Sequence, residues 1–377
     1  MKKISKNVSK GSIDFILLID VLIMLSLGIV MVMSASSPTS LSKTGNSYTY
    51  VKTQVLSAVM GLIGMFVISK IDYKVYKKFY KIIYIIIIIL LASVAVIGTG
   101  ANGAKRWIDL KIVSFQPSEL AKIGLIIFYS ALLTKNKDRL SELWGGFFYP
   151  IAFLLPVIAI LIGVQNHLSA TVLIVLIVSV LMLMAGSRLR YFLSFGLTGA
   201  GIGGLGLFLY AKKTGKGLFR IQRLITFLNP LSDTQDAGWQ ITQSLYAIGS
   251  GGLFGVGLGN STQKYLYLPE AHNDFIFSII AEELGFIGCA FVIVLFAIFI
   301  WRGIVIAMKA PDMFSSLLAA GITTMVGLQA IINIAVVTSS MPNTGMPLPF
   351  FSYGGTALLI LLCSVGILLN ISRCTKK

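Results

Sequence analysis

Charge is scarce in this chain. Only 12% of its 377 residues are Asp, Glu, Lys or Arg, against 56% hydrophobic residues. A soluble domain of this length needs roughly twice that charge to cover its surface. Acid is scarcer still, with 14 Asp and Glu against 31 Lys and Arg. Two histidines and three cysteines complete the shortage. Cys289, Cys363 and Cys374 have no metal-ligand spacing, and the histidines form no helical pair, which argues against a zinc site and a disulfide framework. The glycine runs "GVGLGN" and "GSGGLFG" lack both a preceding strand and a Gly-Lys-Ser/Thr, so they do not make a nucleotide loop.

What the chain has instead is long apolar blocks. Mean hydropathy is +0.87, and the blocks run to about twenty residues, enough to cross a bilayer as helix. The expected fold is an all-α polytopic membrane protein of about ten transmembrane helices. Their expected positions are 14–35, 52–69, 80–98, 117–134, 147–164, 168–186, 191–211, 274–301, 313–338 and 350–371. The N-terminal "KKISKNVSK", an apolar stretch and "SAS" imitate a signal peptide. That stretch exceeds the roughly 7–15 residues of a signal core, so a retained first helix is expected.

The charge of +17 is distributed by side. Alternate gaps, "MKKISKNVSK", "SKIDYKVYKKFYK", "TKNKDR", "SRLR", the Arg302–Lys309 turn and "SRCTKK", hold 19 of the 31 basic residues. The positive-inside rule makes these cytoplasmic, with both termini (residues 1–13 and 372–377) on that side. Topology therefore accounts for the basic balance, and no nucleic-acid partner is expected.

The whole chain then reads as one membrane domain with its chemistry on the outer face. The second outer loop sets Lys105, Arg106, Asp109 and Lys111 around Trp107. Residues 212–273 form a long outer loop between the seventh and eighth spans. Within it, Ile241, Leu245 and Ile248 have the spacing of an amphipathic helix, followed by a glycine run. That pattern suits an interfacial or re-entrant element. The last outer loop, "SSMPNTGMPLPFFSYGG", combines Pro342, Pro347 and Pro349 with Gly345, Gly354 and Gly355. Irregular backbone at this depth is compatible with a cavity mouth or with a tight hairpin.

The stretch "PEAHNDFIFSIIAEELGFIG" (269–288) carries the densest charge on an apolar segment. Glu270, His272 and Asp274 crowd the entrance to the eighth span, with Asp274 expected in its first helical turn, where the helix dipole favours a carboxylate. They could simply cap that helix. However, they share the outer side with Arg106, Lys111, Arg220, Arg223 and Lys264. A carboxylate among fixed cations at a lipid interface suits a lipid-linked phosphate: the cations hold the phosphate and the acid serves as base or metal ligand. Glu282 lies about 12 Å deeper along the helix and, with Glu283, is expected to face protein or a wet cavity, or to serve only as a buried structural pair with Lys122. Glu119 and Lys122 in "QPSELAK" are spaced to pair with each other. Asp20, inside the first span, has no evident use, and His167 reads as an interfacial polar residue.

The ordered blocks "MVMSAS", "GAKRWI", "FQPSELAK", "FLNPLSD", "QSLYAIGSGGLFGVGLG", "QKYLYLPEAHNDFIFSIIAEELG" and "MPNTGMPLPFFSYGGT" resemble the SEDS family (shape, elongation, division and sporulation) of polytopic bacterial cell-wall glycosyltransferases. The likeness covers nearly the whole chain and leans to the FtsW and SpoVE branch rather than the RodA branch. It implies polymerisation of lipid II at the outer face of the bacterial cell membrane, at a division or sporulation septum. It also implies a class B penicillin-binding protein as transpeptidase partner, beside other division or sporulation membrane proteins. The family's essential Asp matches Asp274, as general base or ligand of a divalent cation such as Mg or Mn. Its outer cations match Arg106 and Lys264, its buried pair matches Glu119 and Lys122, and Glu270 and His272 flank the base. Lys111 and Arg223 join the substrate-binding set, and Glu282 and Glu283 the buried support. Two departures stand out: Asn273 replaces the usual Thr of His-Thr-Asp, and His167 stands where an Asp is frequent, so no essential acid is expected there. A lipid II flippase and a non-catalytic divisome scaffold are the competing readings. A flippase needs polar groups along a path that includes the cytoplasmic half, whereas these concentrate outside.

Overall fold

The computed structural model describes residues 11–100, 105–109, 114–194, 196, 237–265 and 267–375. Among them, nine helices are long and apolar enough to cross a membrane. The expected seventh span lies almost wholly outside the described residues, as do Lys111, Arg220 and Arg223.

Helix α1 (Phe15–Thr44) begins at Asp14, whose carboxylate accepts from the Leu17 N–H, and ends at Gly45 in the left-handed conformation. It runs nine residues past the expected boundary at 35, straight through Pro38 and the polar "SSPTSLSKT". The two caps and the apolar body override the polar tail, so the first outer loop shrinks to a short turn. Helices α2 (Thr49–Lys70) and α3 (Lys74–Ile97) follow, then a small antiparallel meander of β1 (Gly98–Thr99), β2 (Trp107–Asp109) and β3 (Ser114–Phe115). Among the described residues this meander is the β structure that an all-α expectation leaves out. It pairs Gly98 with Ile108 and Ile108 with Phe115.

Next come α4 (Pro117–Lys135), a π turn at Trp144–Phe148 continuing into α5 (Tyr149–Gly163), and α6 (Leu168–Ala185). The remaining helices are α7 (Ala237–Gly251), α8 (Ile276–Met308), α9 (Met313–Val337) and α10 (Gly355–Ser372). Helices α4, α9 and α10 are the inner ones, while α2 and α3 present most of their surface outward. Helix α2 lies against α10 closely enough that a Cβ on Gly366 would stand 2.5 Å from the Met65 carbonyl oxygen.

Helix α8 is broken at Gly285 (φ 66°, ψ −165°). The glycine run after α7 fills the break. Val256 and Gly257 donate to the carbonyls of Glu282 and Glu283 at 3.0 and 3.1 Å, and Phe286 donates to Gly252 at 2.9 Å. Backbone groups released by the break are thus satisfied inside the protein, as a membrane interior demands. The expected amphipathic helix exists as α7, but it is held to protein rather than riding on its apolar stripe. Ile241 is buried while Leu245 and Ile248 are only partly so, and Ser244 bonds Ser278 and the Val337 carbonyl, both at 2.7 Å.

Candidate functional site

Asp274 does not sit in the first turn of α8. The helix starts at Ile276, and Asp274 belongs to a tight turn before it. Asn273 N–H donates to the Glu270 carbonyl at 2.9 Å, Phe275 N–H reaches the same oxygen at 3.4 Å, and Glu270 adopts a positive φ of 56°. The Asn273 amide also donates to the Glu270 carboxylate at 2.5 Å. Asn273 is thus a staple of the turn.

Three elements fix the aspartate from outside that turn. From α9, the Asn333 amide nitrogen donates to the main-chain carbonyls of Asp274 (2.7 Å) and Met346 (2.6 Å). From the last outer loop, Gly345 (φ 59°) approaches so closely that a Cβ would lie 3.1 Å from Asp274 Oδ2. Ser352 Oγ donates to the Asn273 carbonyl (2.7 Å), and Gln54 of α2 holds both Ser352 O and Gly354 N–H at 3.2 Å. The Pro/Gly-rich loop therefore does line the site, as a wall to Asp274.

The carboxyl of Asp274 is half-buried and its pKa is pushed up to about 7, first by burial and then by the charge of Glu270. A carboxyl so placed exchanges a proton near neutral pH. His272 is buried beneath Tyr50 and Tyr353, with ring centroids 4.9 and 5.8 Å away. Burial lowers its pKa, and Lys43 adds to that against the pull of Glu270, so it packs as neutral imidazole. Glu270 is exposed.

A second polar cluster lies at the outer ends of α4, α5 and α6. Lys122 pairs with Glu119 through both carboxylate oxygens, at 2.8 and 2.7 Å, which bears out the pairing read from their spacing. Arg106 donates to the Gln165 and Asn166 carbonyls (3.3 and 2.7 Å), which sets it beside His167. Burial, then the charges of Arg106 and Lys122, depress the His167 pKa to about 3 and keep that ring neutral. Ser169 then bonds the Thr344 carbonyl, next to Gly345. A continuous run of contacts thus joins Arg106 to the wall of Asp274.

Two expectations require correction. Lys264 is not placed as a cation for pyrophosphate: it is 4% exposed, and its ammonium donates to Glu283 (2.8 Å), Ser34 (3.0 Å) and the Gly259 carbonyl (2.5 Å). A buried ammonium needs such partners, and all three of its donors are engaged. Correspondingly, Glu282 and Glu283 do not pair with Lys122. Glu282 accepts from Ser261, from Thr262 N–H and Oγ1 (both 2.9 Å) and from Gln263 N–H, while Glu283 takes Lys264 and Ser34. Both acids grip the segment that leads to Asp274.

Asn333, Gln54, Ser352 and Ser34 were missed as contributors. Asn333 had a visible signal, a lone amide in the apolar "AIINIAVV". Among the described residues no three His, Cys, Asp or Glu side chains group as a metal site. The atoms nearest in sequence and contact to Asp274 that do fit a hard cation are oxygens. Asn273 Oδ1 and Asn333 Oδ1 are buried with no hydrogen-bond partner.

The sequence from 15 to 377 matches the family pattern of FtsW, RodA and SpoVE, described as cell cycle protein. Stage V sporulation protein E of Bacillus subtilis (strain 168) is 40% identical over 366 residues, covering 97% of this chain and 98% of its own. A probable peptidoglycan glycosyltransferase FtsW of Geobacter sp. (strain M18) is 41% identical over 361 residues, covering 95% and 96%. Among solved structures, a chain of a peptidoglycan synthase complex that coordinates polymerization and crosslinking superposes with a TM-score of 0.77 at 27% identity, covering 96% of this chain and 98% of that one. The rod shape determining protein RodA of Thermus thermophilus gives 0.70 at 27% identity, covering 97% and 98%.

Proposed function

Because this chain belongs to the FtsW, RodA and SpoVE family of cell cycle proteins, we propose that its outer corner is a glycosyl-transfer site with Asp274 as the base. The protein is a multi-pass membrane peptidoglycan glycosyltransferase that polymerises lipid II. In the reaction we assign, the 4-hydroxyl of an acceptor GlcNAc attacks the anomeric carbon of the lipid-linked MurNAc. Asp274 takes the hydroxyl proton as the new C–O bond forms. The bond from that carbon to the pyrophosphate oxygen breaks, and undecaprenyl pyrophosphate leaves with the electron pair.

A carboxyl with a pKa near 7, fixed in place by Asn333 and Gly345, is the observation that carries this reading. Arg106 faces the leaving group in this scheme, with Lys111 and Arg223 as further phosphate cations. Lys264 and Glu283 position the loop. In the alternative role, as ligand rather than base, Asp274 would hold a divalent cation, Mg or Mn, with the unpartnered Asn273 and Asn333 oxygens, and that cation would neutralise pyrophosphate charge. The transpeptidase partner is a class B penicillin-binding protein, in keeping with the synthase complex to which this fold is similar, and the assembly works at a division or sporulation septum.

The test is lipid II polymerisation by the purified chain with its cognate transpeptidase, in penicillin and moenomycin, comparing wild type with Asp274→Asn. Glycan strands from wild type and none from a folded variant support the reading. Strands from both remove Asp274 from the mechanism, and strands from neither favour lipid II transport.

A further inference from the structure

The first two turns of α3 carry Lys74, Lys77, Lys78 and Lys81, all exposed. Their placement is unfavourable for the helix itself. Cations at a helix N-terminus oppose the macrodipole, and the one carboxylate at this end, Asp72, which accepts from the Lys74 N–H at 2.9 Å, faces four lysines. None of the four forms an ion pair among the described residues. The positive-inside rule asks only that lysines lie on this side; it does not ask that they be stacked on one helical face.

That face is specific. Lys74, Lys78 and Lys81 continue at spacings of three and four into Ile85 and Ile89, and seven residues on into Val96; the three are 56%, 61% and 84% exposed. The opposite face, Ile87, Leu91 and Val94, is buried, with Ile87 against Gly124 of α4. The stripe that shows isoleucine to hydrocarbon therefore shows lysine one to three turns lower, at headgroup depth. Lys77 is turned from it, over the Phe314 ring at 5.7 Å.

We infer that Lys74, Lys78 and Lys81 form a binding surface for the phosphate headgroup of an anionic phospholipid of the leaflet on this side. A phosphodiester there supplies the negative charge that three ammonium groups without an ion pair among the described residues lack, while its acyl chains lie along Ile85 and Ile89. Clustered lysines at the cytoplasmic edge of a span attract anionic lipid in this way. The assignment is independent of the chemistry at Asp274, on the other side of the membrane.

The experiment titrates the full-length purified chain in neutral detergent with phosphatidylglycerol or phosphatidylcholine and reads bound lipid by native mass spectrometry. Phosphatidylglycerol should bind in preference. The triple variant Lys74→Gln, Lys78→Gln, Lys81→Gln should weaken that binding on the order of 100-fold, about 5-fold per lysine. The triple Lys→Arg variant should keep it, and Lys78→Gln alone, with a wild-type melting temperature, should show the single-lysine loss. Equal binding of both lipids by wild type, or an undiminished preference in the Gln variants, overturns the inference. Displacement by equimolar inorganic phosphate also overturns it, by making the site one for a soluble anion.

Discussion

The side-chain amide of Asn333, near the C-terminal end of the apolar helix α9, donates to the main-chain carbonyl of Asp274 at 2.7 Å. The same nitrogen holds Met346 O at 2.6 Å, so one residue of α9 ties the candidate base to the loop that walls it. Asn333→Leu keeps the branching and heavy-atom count but removes the donor shared by the Asp274 and Met346 carbonyls, at about 1–3 kcal/mol each. The expected outcome is a fall in kcat of roughly 10- to 100-fold, since misplacing a catalytic group by about 1 Å has that size of effect, with KM for lipid II little changed. Steady-state polymerisation rates on the variant, normalised to folded protein, check it.

The raised pKa of Asp274 makes a signed prediction for both activity and stability. The base works ionised, so kcat/KM should climb as pH rises through about 7 and level off above it. Glu270 contributes to the upward shift, so Glu270→Gln should move this limb to lower pH. Stability runs the other way. The folded carboxyl holds its proton from the ordinary value of 3.8 up to about 7 while the unfolded one has released it, so stability falls with rising pH across that window. Asp274→Asn removes the penalty. It should melt above wild type at about pH 8 and level with it near pH 4, even as polymerisation is lost.

Much of this was legible in the chain. Apolar blocks about twenty residues long specify spans whatever surrounds them, and the i, i+3 spacing of Glu119 and Lys122 specified their pair. What was not legible depends on the third dimension. The polar tail "SSPTSLSKT" reads as loop because nothing in it announces that Gly45 ends the helix only later. Lys264 reads as a phosphate ligand because its sequence neighbours do not reveal Glu283, nineteen residues on, or Ser34 on another helix. Gln54 reads as an ordinary polar residue until α10 brings Ser352 and Gly354 to it. The Glu119–Lys122 pair lies within one helical turn and was legible, whereas the partners of Lys264 and Gln54 come from distant parts of the chain and were not.

Lys264 offers a direct test of its corrected role. Removing one member of a buried ion pair strands the other charge, at about 3–5 kcal/mol, whereas replacing both can be close to neutral. Lys264→Met should therefore melt far below wild type, and Lys264→Met with Glu283→Leu should recover most of the loss. If the double variant also polymerises lipid II, the ammonium acts through the fold. A stable double variant with a greatly raised KM would instead return Lys264 to the substrate. Melting curves and KM on these three proteins, wild type included, decide between the two.

Gly285 makes the break in α8 possible, and its backbone leaves no room for a side chain. Its φ of 66° with ψ of −165° is essentially closed to other residues. An added Cβ would lie 2.3 Å from the Gly255 nitrogen and 2.6 Å from the Leu253 carbonyl oxygen, both backbone atoms that cannot turn aside. Gly285→Ala should therefore cost about 1–3 kcal/mol for the backbone alone, and the steric overlap should push the glycine run off the helix. That run carries Val256 and Gly257 onto the carbonyls of Glu282 and Glu283, whose side chains hold Ser261 to Lys264 and, through them, the approach to Asp274. Polymerisation should fall along with stability. A second-site change at the run, Leu253→Gly, should restore neither, because the clash is with main chain. Thermal melting and polymerisation of the single and double variants check this. A Gly285→Ala protein with wild-type melting and activity would mean that α8 can run unbroken and still support the site.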